Sequence, residues 1–122
     1  MNRPSHKEIN RKIKQAREAV SDDQFSILNP VSDAADILKL GFTIEGISNI
    51  LANLLDEITP DDYAGGYPPQ KSYESDILDC ELFTFRWASN HLGGIIYLKF
   101  AFKGQRRWVV SLHEERKDKA GE

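Results

Sequence analysis

The stretch Ile95-Ile96-Tyr97-Leu98-Lys99-Phe100-Ala101-Phe102 decides the fold, because large apolar side chains recur there at every second residue. Its even positions are all apolar: Ile96, Leu98, Phe100 and Phe102. Its odd positions include Tyr97 and Lys99. Successive side chains of a β-strand point to opposite sides of a sheet, so a period of two indicates a strand that is buried on one face only. The stretch therefore predicts an amphipathic strand.

The following stretch, Arg106-Arg107-Trp108-Val109-Val110-Ser111-Leu112-His113, repeats the alternation. Its apolar face carries Trp108, Val110 and Leu112, and its other face carries Arg107, Val109, Ser111 and His113. A three-residue connection, Lys103-Gly104-Gln105, keeps both apolar faces on the same side of a hairpin, whereas a two-residue turn would oppose apolar and polar side chains. We therefore predict an antiparallel pair in which Phe102 lies opposite Arg106 and Phe100 lies opposite Trp108.

This register gathers polar groups on one face of the hairpin. Tyr97 is expected opposite Ser111, Lys99 opposite Val109, and His113 diagonal to Tyr97, within reach of long side chains across an antiparallel pair. Arg107 is expected on the same face, and Tyr97 and His113 could share a ligand there. Polar residues also cover the solvent-facing side of many antiparallel sheets, so the pattern alone favours a solvated surface.

The elements before this hairpin follow from periodicity and capping signals. Ser5 and Glu8 form a capping box ahead of an amphipathic helix, and apolar residues recur at helical spacing after Thr43. The predicted elements are a helix over 6–21, a short strand over 24–28, a short helix over 32–41, a helix over 44–55, a brief helical turn over 59–63 and a strand over 82–87.

Apolar helix stripes need an apolar surface to pack against, and the predicted sheet offers one such face. In its first strand, Phe83, Phe85 and Trp87 extend that face. The 122 residues fall within the usual size of one domain. We therefore predict a single α+β domain over 1–122, with N-terminal helices packed on one face of a small antiparallel sheet and a charged, frayed tail over 115–122.

A long loop is predicted over 65–76, where glycine, proline and serine are interspersed with aromatic residues. Loops of this length often carry function. In and beside the loop, Tyr63, Tyr67, Lys71 and Tyr73 could stack on bases or hold a partner, and the aromatic residues could equally form a lid over the core. The sequence leaves both interpretations open.

Composition narrows the classes of protein to consider. The chain has 16 Lys plus Arg against 19 Asp plus Glu, a formal net charge of -3, so it carries no overall basic field that would attract nucleic acid. The single Cys80 cannot form an intrachain disulfide, and no Cys/His spacing indicates a zinc site. No signal peptide or membrane span is apparent, so we expect a cytoplasmic protein. We also expect neither a metal nor another cofactor.

The chain resembles the MqsR family of toxins in four landmarks that follow one another along most of its length: Leu40-Gly41-Phe42-Thr43, Ile58-Thr59-Pro60-Asp61-Asp62-Tyr63, Ile96-Tyr97-Leu98-Lys99 and Ser111-Leu112-His113-Glu114. The resemblance implies a RelE-like fold and the toxin role of a type II toxin-antitoxin system. Such a toxin is an mRNA interferase, an endoribonuclease that cleaves messenger RNA without a metal and is neutralised by a cognate antitoxin. The oligomeric state is left open, with a homo-oligomer as one option.

The resemblance also assigns residues by position. The family's active-site tyrosine and its companion lysine match Tyr97 and Lys99, and the basic residue of its closing segment matches His113, so these three are the candidate catalytic residues. The candidate RNA-binding residues are Arg107, Lys71, Tyr63 and Arg86. The chain departs from the family at Ala64, where a lysine is common, and at Leu112, where a phenylalanine is usual. Lys71 is the candidate substitute for the lysine missing at Ala64.

Metal-free cleavage of RNA needs an acceptor for the proton of the ribose 2'-hydroxyl, cations for the phosphate and a proton donor for the leaving oxygen. Histidine titrates near neutral pH, so His113 is assigned as the acid or the base. Lys99 and Arg107 are assigned to the phosphate, and Tyr97 is assigned to positioning or relaying a proton.

Two other classes of function compete with this hypothesis. A non-catalytic relative could use the same sheet face, or the aromatic loop, only to bind protein or nucleic acid. A basic first helix could enter a DNA groove, although no helix-turn-helix spacing accompanies it. The basic residues of that helix are Lys7, Arg11, Lys12, Lys14 and Arg17.

Overall fold

The computed structural model describes residues 4–22, 24–28, 39, 46–104 and 106–115. Within these residues, two N-terminal helices pack on a four-stranded, mostly antiparallel sheet, which confirms the predicted α+β fold, although the parallel pairing of one strand was not predicted. The elements are α1 (His6–Ser21), β1 (Phe25–Ile27), α2 (Ile47–Glu57), β2 (Leu82–Ser89), β3 (Gly94–Lys103) and β4 (Arg106–Glu114), with 3-10 turns at Pro60–Asp62 and Ser75–Ile77. The strand order is β1-β4-β3-β2, in which β1 is parallel to β4 and the other pairs are antiparallel.

Helix α1 occupies the predicted residues. The Ser5 hydroxyl accepts a hydrogen bond from the backbone N–H of Glu8 at 3.1 Å, which satisfies one of the unpaired donors of the first turn. A stripe at helical spacing is buried against the sheet: Ile9, Ile13, Ala16 and Ala19. The capping residue and the apolar period together explain where the helix begins and which side it buries.

Helix α2 packs on the same side of the sheet through a broader stripe: Ile47, Ile50, Leu51, Leu54 and Leu55. We call the side of the sheet that α1 and α2 cover the helix face. The N-cap of α2 is Gly46, and the cap predicted at Thr43 lies outside the described residues. So does the helix predicted over 32–41, except for Lys39. No helix in the described part of the chain is long and apolar enough to span a membrane.

The carboxylate of Glu57, the last residue of α2, ties that helix to the β2–β3 turn. It accepts hydrogen bonds from the indole N–H of Trp87 at 2.8 Å and the hydroxyl of Ser89 at 2.7 Å. The backbone N–H groups of Asn90 and His91 donate to it at 2.9 and 3.0 Å. Burial raises the pKa of Glu57, but the four hydrogen bonds outweigh burial and hold the pKa below its ordinary value of 4.5. The β2–β3 turn is therefore fixed by a side chain that was not among the predicted site residues.

The register predicted for the β3–β4 hairpin is wrong. Lys103 pairs with Arg106, so the connection has two residues instead of three. Gly104 has a φ of 61°, a left-handed conformation that glycine adopts at little cost and that tight hairpin turns require. Phe102 consequently lies opposite Arg107 at this end of the hairpin. An apolar and a charged side chain therefore share the helix face there.

A β-bulge in β4 restores the alignment of apolar side chains. Val109 pairs with Phe100 and Ser111 pairs with Lys99, so Val110 is an extra residue on β4. Beyond the bulge, Leu98 and Leu112 face each other on the helix face. The parity change made by the two-residue turn is thus cancelled within the hairpin.

The bulge also decides which β4 side chains lie on each face. Val109 joins Leu112 in the core of the helix face. It was predicted on the opposite face, among the polar residues. Trp108 and Val110, which were predicted on the helix face, pack on the opposite side of the sheet. There they contact a smaller apolar cluster formed by Leu28, Ile77 and Ala101. We call this opposite side the polar face, because beyond the small cluster it carries charged and hydroxylated side chains.

The segment 63–81 runs along the outer edge of β2. The backbone N–H of Ala64 donates to the carbonyl of Thr84 at 2.8 Å, and that of Leu82 donates to the carbonyl of Gln70 at 2.8 Å. These bonds satisfy backbone groups that an edge strand would otherwise expose. The loop predicted over 65–76 is therefore anchored to the sheet at both ends.

Candidate functional site

Direct cross-strand neighbours form two polar rows on the polar face. The first row consists of Arg86 on β2, Tyr97 on β3 and His113 on β4. The second consists of Thr84, Lys99 and Ser111. The three candidate catalytic side chains are therefore neighbours on two adjacent strands, although the register that places them together differs from the predicted one.

The rings of Tyr97 and His113 are stacked, with 5.3 Å between their centroids and 23° between their planes. The two residues are direct partners, and not diagonal ones as predicted. The Nδ1 atom of His113 lies 3.0 Å from the carbonyl oxygen of Glu114. A carbonyl oxygen only accepts, so this hydrogen bond assigns a proton to Nδ1 and leaves Nε2 as the acceptor of the neutral ring. Proton exchange with a ligand would therefore use Nε2.

Arg86 and Glu115 extend the first row beyond Tyr97. Arg86 Nε donates to the Tyr97 hydroxyl at 3.1 Å and to Glu115 Oε1 at 3.0 Å, while Nη2 donates to the same carboxylate oxygen at 2.8 Å. The Tyr97 hydroxyl donates to Glu115 Oε1 at 3.3 Å. The hydrogen bonds and the charge of Arg86 hold the pKa of Glu115 below its ordinary value, and Glu115 in turn raises the pKa of Arg86.

Glu115 is not among the predicted site residues, because the charged chain end predicted a frayed tail over 115–122. That prediction is wrong at this position, since the backbone N–H of Glu115 donates to the carbonyl of Ile95 at 2.7 Å and continues the β3–β4 ladder. Residues 116–122 lie outside the described residues. The period of two could have identified Glu115, because it places this residue on the same face as His113.

A cleft of about 480 Å³ opens beside the second row of the polar face. Lys99 and Val110 line it from the sheet, and the loop residues Lys71, Ser72 and Tyr73 line its other side. The structure thus brings Lys71 to the same cleft as Lys99, a proximity that the sequence did not reveal. The side chain of Tyr73 is 96% exposed, so one face of an aromatic ring is open to solvent at the rim.

The loop that forms this cleft is held by contacts on both sides of Tyr73. The backbone N–H of Ser72 donates to the carbonyl of Cys80 at 2.9 Å, and Ser72 is itself 4% exposed. Further along, Ile77 is fully buried, and the Lys103 ammonium donates to the carbonyl of Asp76 at 2.7 Å. The cleft wall is therefore part of the packed structure, with Tyr73 projecting from it.

Arg107 does not lie with the other candidate residues. Its guanidinium stacks over the ring of Phe102 on the helix face, 4.4 Å from the ring centroid. Burial lowers the pKa of Arg107, although the nearby Glu18 of α1 acts in the opposite direction. Its Nε is buried without a hydrogen-bond partner among the described residues. The expectation that Arg107 shares the face of Tyr97 is therefore wrong, because the bulge lies between Arg107 and the polar rows.

Tyr63 also lies away from the polar face. It is 9% exposed and packs edge-on against the ring of Phe85 in the core of the helix face. Its hydroxyl donates to the carbonyl of Gly66 at 2.6 Å. Of the two interpretations that the sequence left open for Tyr63, the structure supports a packing position under the loop. The RNA-binding role predicted for it has no geometric support.

The basic side of α1 is likewise on the far side of the molecule from the polar rows. Lys12 lies over the Phe102 ring, with its ammonium 4.7 Å from the centroid. Arg17 Nε donates to the carbonyl of Leu55 at 3.0 Å and pairs with Asp56 at 3.5 Å. Two of the five basic residues of this helix therefore hold α1 to the rest of the fold.

Chemically, the polar face combines cationic donors at Arg86 and Lys99, a histidine with an available Nε2, and a carboxylate at Glu115, all within two neighbouring rows. Within the described residues, no three His, Cys, Asp or Glu side chains are placed to hold a metal ion together. Neither a scan against protein-family models nor a search of curated proteins finds a match for this chain.

Proposed function

We propose that this protein is the toxin of a type II toxin-antitoxin system, an endoribonuclease with a RelE-like fold that cleaves messenger RNA by metal-independent general acid/base chemistry. The observation that carries the proposal is the stacked pair of Tyr97 and His113, flanked by Arg86 and Lys99 on the same sheet face. Tyr97, Lys99 and His113 belong to the two C-terminal landmarks in which the chain resembles the MqsR family. Geometry and motif therefore point to the same residues.

The proposed roles follow from what phosphodiester cleavage requires. Arg86 and Lys99 bind the scissile phosphate and stabilise the charge that develops on its oxygens. His113 exchanges a proton through Nε2, and Tyr97 fixes the plane of the imidazole and places a hydroxyl beside the phosphate site. Lys71 adds a third cation from the cleft wall and substitutes for the lysine that the family commonly has at the position of Ala64. Arg107 has no part in this arrangement.

The partners proposed with this function are messenger RNA and a cognate antitoxin protein. The cleft between the polar face and the loop at Lys71 is the place where an RNA strand would reach the first row. The exposed ring of Tyr73 at its rim supplies a surface on which a base can stack. The antitoxin follows from the resemblance, since a growth-arresting ribonuclease has to be neutralised in the cell that encodes it.

The proposal is tested by induced expression of the wild type, a His113→Ala variant and a His91→Ala control, with growth and transcript integrity followed together. His91 is exposed in the β2–β3 turn, away from the polar rows. We expect growth arrest and transcript cleavage for the wild type and the control, and neither for His113→Ala. Purified wild type should cut RNA in the presence of a metal chelator.

The same experiment separates catalysis from the competing hypothesis of a binding module. Growth arrest by both the wild type and His113→Ala, with transcripts intact in each, would overturn the ribonuclease proposal and favour a protein that acts by binding. Combined substitution of Tyr97, Lys99 and His113 sharpens the distinction. If this triple variant still arrests growth, catalysis at the polar face is not the cause.

A further inference from the structure

Glu115 lies at the end of the row that contains Tyr97 and His113, and both its backbone and its side chain are fixed there. Its backbone N–H is bonded to Ile95 in the β3–β4 ladder. Its carboxylate accepts two hydrogen bonds from Arg86 and one from Tyr97, and all three reach Oε1. Oε2 accepts no hydrogen bond from the described residues, so one oxygen of a positioned carboxylate is available to accept a proton.

Two groups that exchange protons in this reaction have to stand apart. The attacking 2'-oxygen and the leaving 5'-oxygen lie on opposite sides of the phosphorus in an in-line displacement, so one group near each oxygen is needed. Glu115 follows the last residue of β4 and lies two residues beyond His113 on the same face, which separates their backbones by about 6.7 Å in an extended chain. The Tyr97 side chain contacts both, through its ring and through its hydroxyl. The spacing leaves room for a phosphate between the two groups.

We propose that Glu115 is the general base and His113 the general acid of the RNA cleavage, an inference that rests on the proposed ribonuclease function. The Glu115 carboxylate takes the proton of the ribose 2'-hydroxyl as the 2'-oxygen forms a bond to phosphorus. The bond from phosphorus to the 5'-oxygen breaks, and the imidazolium of His113 gives its Nε2 proton to that oxygen. The products are a 2',3'-cyclic phosphate and a 5'-hydroxyl, and exchange with water restores both protonation states.

The surroundings of Glu115 suit an ionised carboxylate. The groups that face it are the guanidinium of Arg86 from β2, the hydroxyl of Tyr97 from β3 and the ring of His113 on its own strand. The depressed pKa of Glu115 that follows from the Arg86 hydrogen bonds keeps the carboxylate ionised at neutral pH. A proton on Nδ1 of His113, held by the Glu114 carbonyl, leaves Nε2 to carry the proton that is donated.

The first test compares Glu115→Gln with Glu114→Gln. Glu114 is the adjacent carboxylate, but it pairs with Ile96 and its side chain projects toward the helix face, so it is the matched control. A labelled transcript and purified protein give the cleavage rate, and mass spectrometry gives the product ends. We expect Glu115→Gln to lower the rate by about 10²- to 10⁴-fold, the range for loss of a general base, while Glu114→Gln cleaves at the wild-type rate.

The dependence of the rate on pH distinguishes a proton acceptor from a residue that only holds its neighbours. The wild-type rate should fall at acid pH, where the carboxylate is protonated. Glu115→Gln should lose this fall. A Glu115→Ala variant should regain part of its rate on addition of formate, which supplies a carboxylate to the empty position. Thermal unfolding of each variant checks that the fold is kept.

Three outcomes overturn the inference, and they differ in what else they overturn. If the wild type and Glu114→Gln cleave and Glu115→Gln cleaves equally fast with an unchanged pH profile, Glu115 is not the base and the ribonuclease function stands. If Glu115→Gln instead binds RNA more tightly and cleaves faster, the carboxylate competes with phosphate for Arg86. If the wild type itself does not cleave RNA, the proposed function and this inference fail together.

Discussion

The ring of Tyr97 lies against the ring of His113 across the β3–β4 ladder, with 5.3 Å between the centroids. This contact covers one face of the imidazole and holds its plane. The edge that carries Nδ1 is engaged by the Glu114 carbonyl at 3.0 Å. The edge that carries Nε2 is consequently the one left for a ligand. In the proposed function, Nε2 is therefore the nitrogen that exchanges a proton.

Substitution Tyr97→Phe separates the ring of this residue from its hydroxyl. The stack on His113 is kept, whereas the hydrogen bonds to Arg86 and Glu115 are lost. A hydrogen bond that involves a charged group contributes about 1.5–3 kcal/mol, so we expect RNA cleavage to fall about tenfold to a hundredfold. Tyr97→Ala removes the stack as well and should lower cleavage further. Equal rates for wild type and Tyr97→Phe would show that the hydroxyl takes no part.

Lys99 and Arg107 provide a paired test of which sheet face is functional. Lys99 lies in the second polar row, whereas Arg107 lies over Phe102 on the helix face. We expect Lys99→Gln to lower cleavage by about tenfold or more, because a cation near the developing phosphate charge is removed. Arg107→Gln should leave the cleavage rate unchanged. The measurement is cleavage of one labelled transcript by both variants, and a large loss in Arg107→Gln would contradict the assignment of faces.

The α+β architecture was predictable because its helices and strands are specified by local signals, namely capping residues and apolar periodicity. The Ser5 cap and the apolar period of α1 gave its bounds, and alternation gave the three long strands. The grouping of Tyr97, Lys99 and His113 on one face also followed from alternation. These features depend on residues a few positions apart, which the sequence displays directly.

The errors arose where two irregularities combine. A two-residue turn shifts the pairing of β4 by one residue, and the bulge at Val110 shifts it by one more in the same direction, so the predicted alternation of faces is restored beyond the bulge. Only the segment between the turn and the bulge is inverted, which is why Arg107 and Val109 lie on the helix face instead of the predicted polar face. Gly104 was the available signal, since a glycine at positive φ is typical of a two-residue hairpin turn. Glu115 was missed because charged chain ends usually fray.

Lys71 offers a test of the cleft as the path of the RNA strand. It lines the same cleft as Lys99, so we expect Lys71→Gln to weaken RNA binding. Loss of one phosphate contact should reduce the slope of log affinity against log salt by about 0.7 for a single strand. The control is Lys14→Gln, because Lys14 is exposed on α1, which packs on the helix face. The two variants are compared in a binding assay at several salt concentrations, and equal slopes would place the RNA elsewhere.

Glu57 offers a prediction about stability instead of catalysis. The carboxylate of Glu57 accepts hydrogen bonds from Trp87, Ser89 and two backbone N–H groups. Glu57→Gln replaces one of its two acceptor oxygens by an NH₂ group, which faces these donors and cannot accept from them. Leaving such donors unsatisfied typically costs about 1–3 kcal/mol of unfolding free energy. Asp56→Asn is the control, since its exposed pair with Arg17 belongs to a class worth about 0–1 kcal/mol. Chemical denaturation at neutral pH measures both variants.

The contribution of Glu57 should also depend on pH in a defined direction. Its pKa in the folded protein is held below the ordinary value of 4.5, so the unfolded chain binds the proton more readily. The stabilisation is therefore fully present above pH 4.5 and is lost as the pH falls through the lower pKa of the folded state. The difference in unfolding free energy between wild type and Glu57→Gln should accordingly shrink as the pH is lowered below 4.5. A difference that stays constant into acid would mean that packing, and not the charge of the carboxylate, holds the β2–β3 turn to α2.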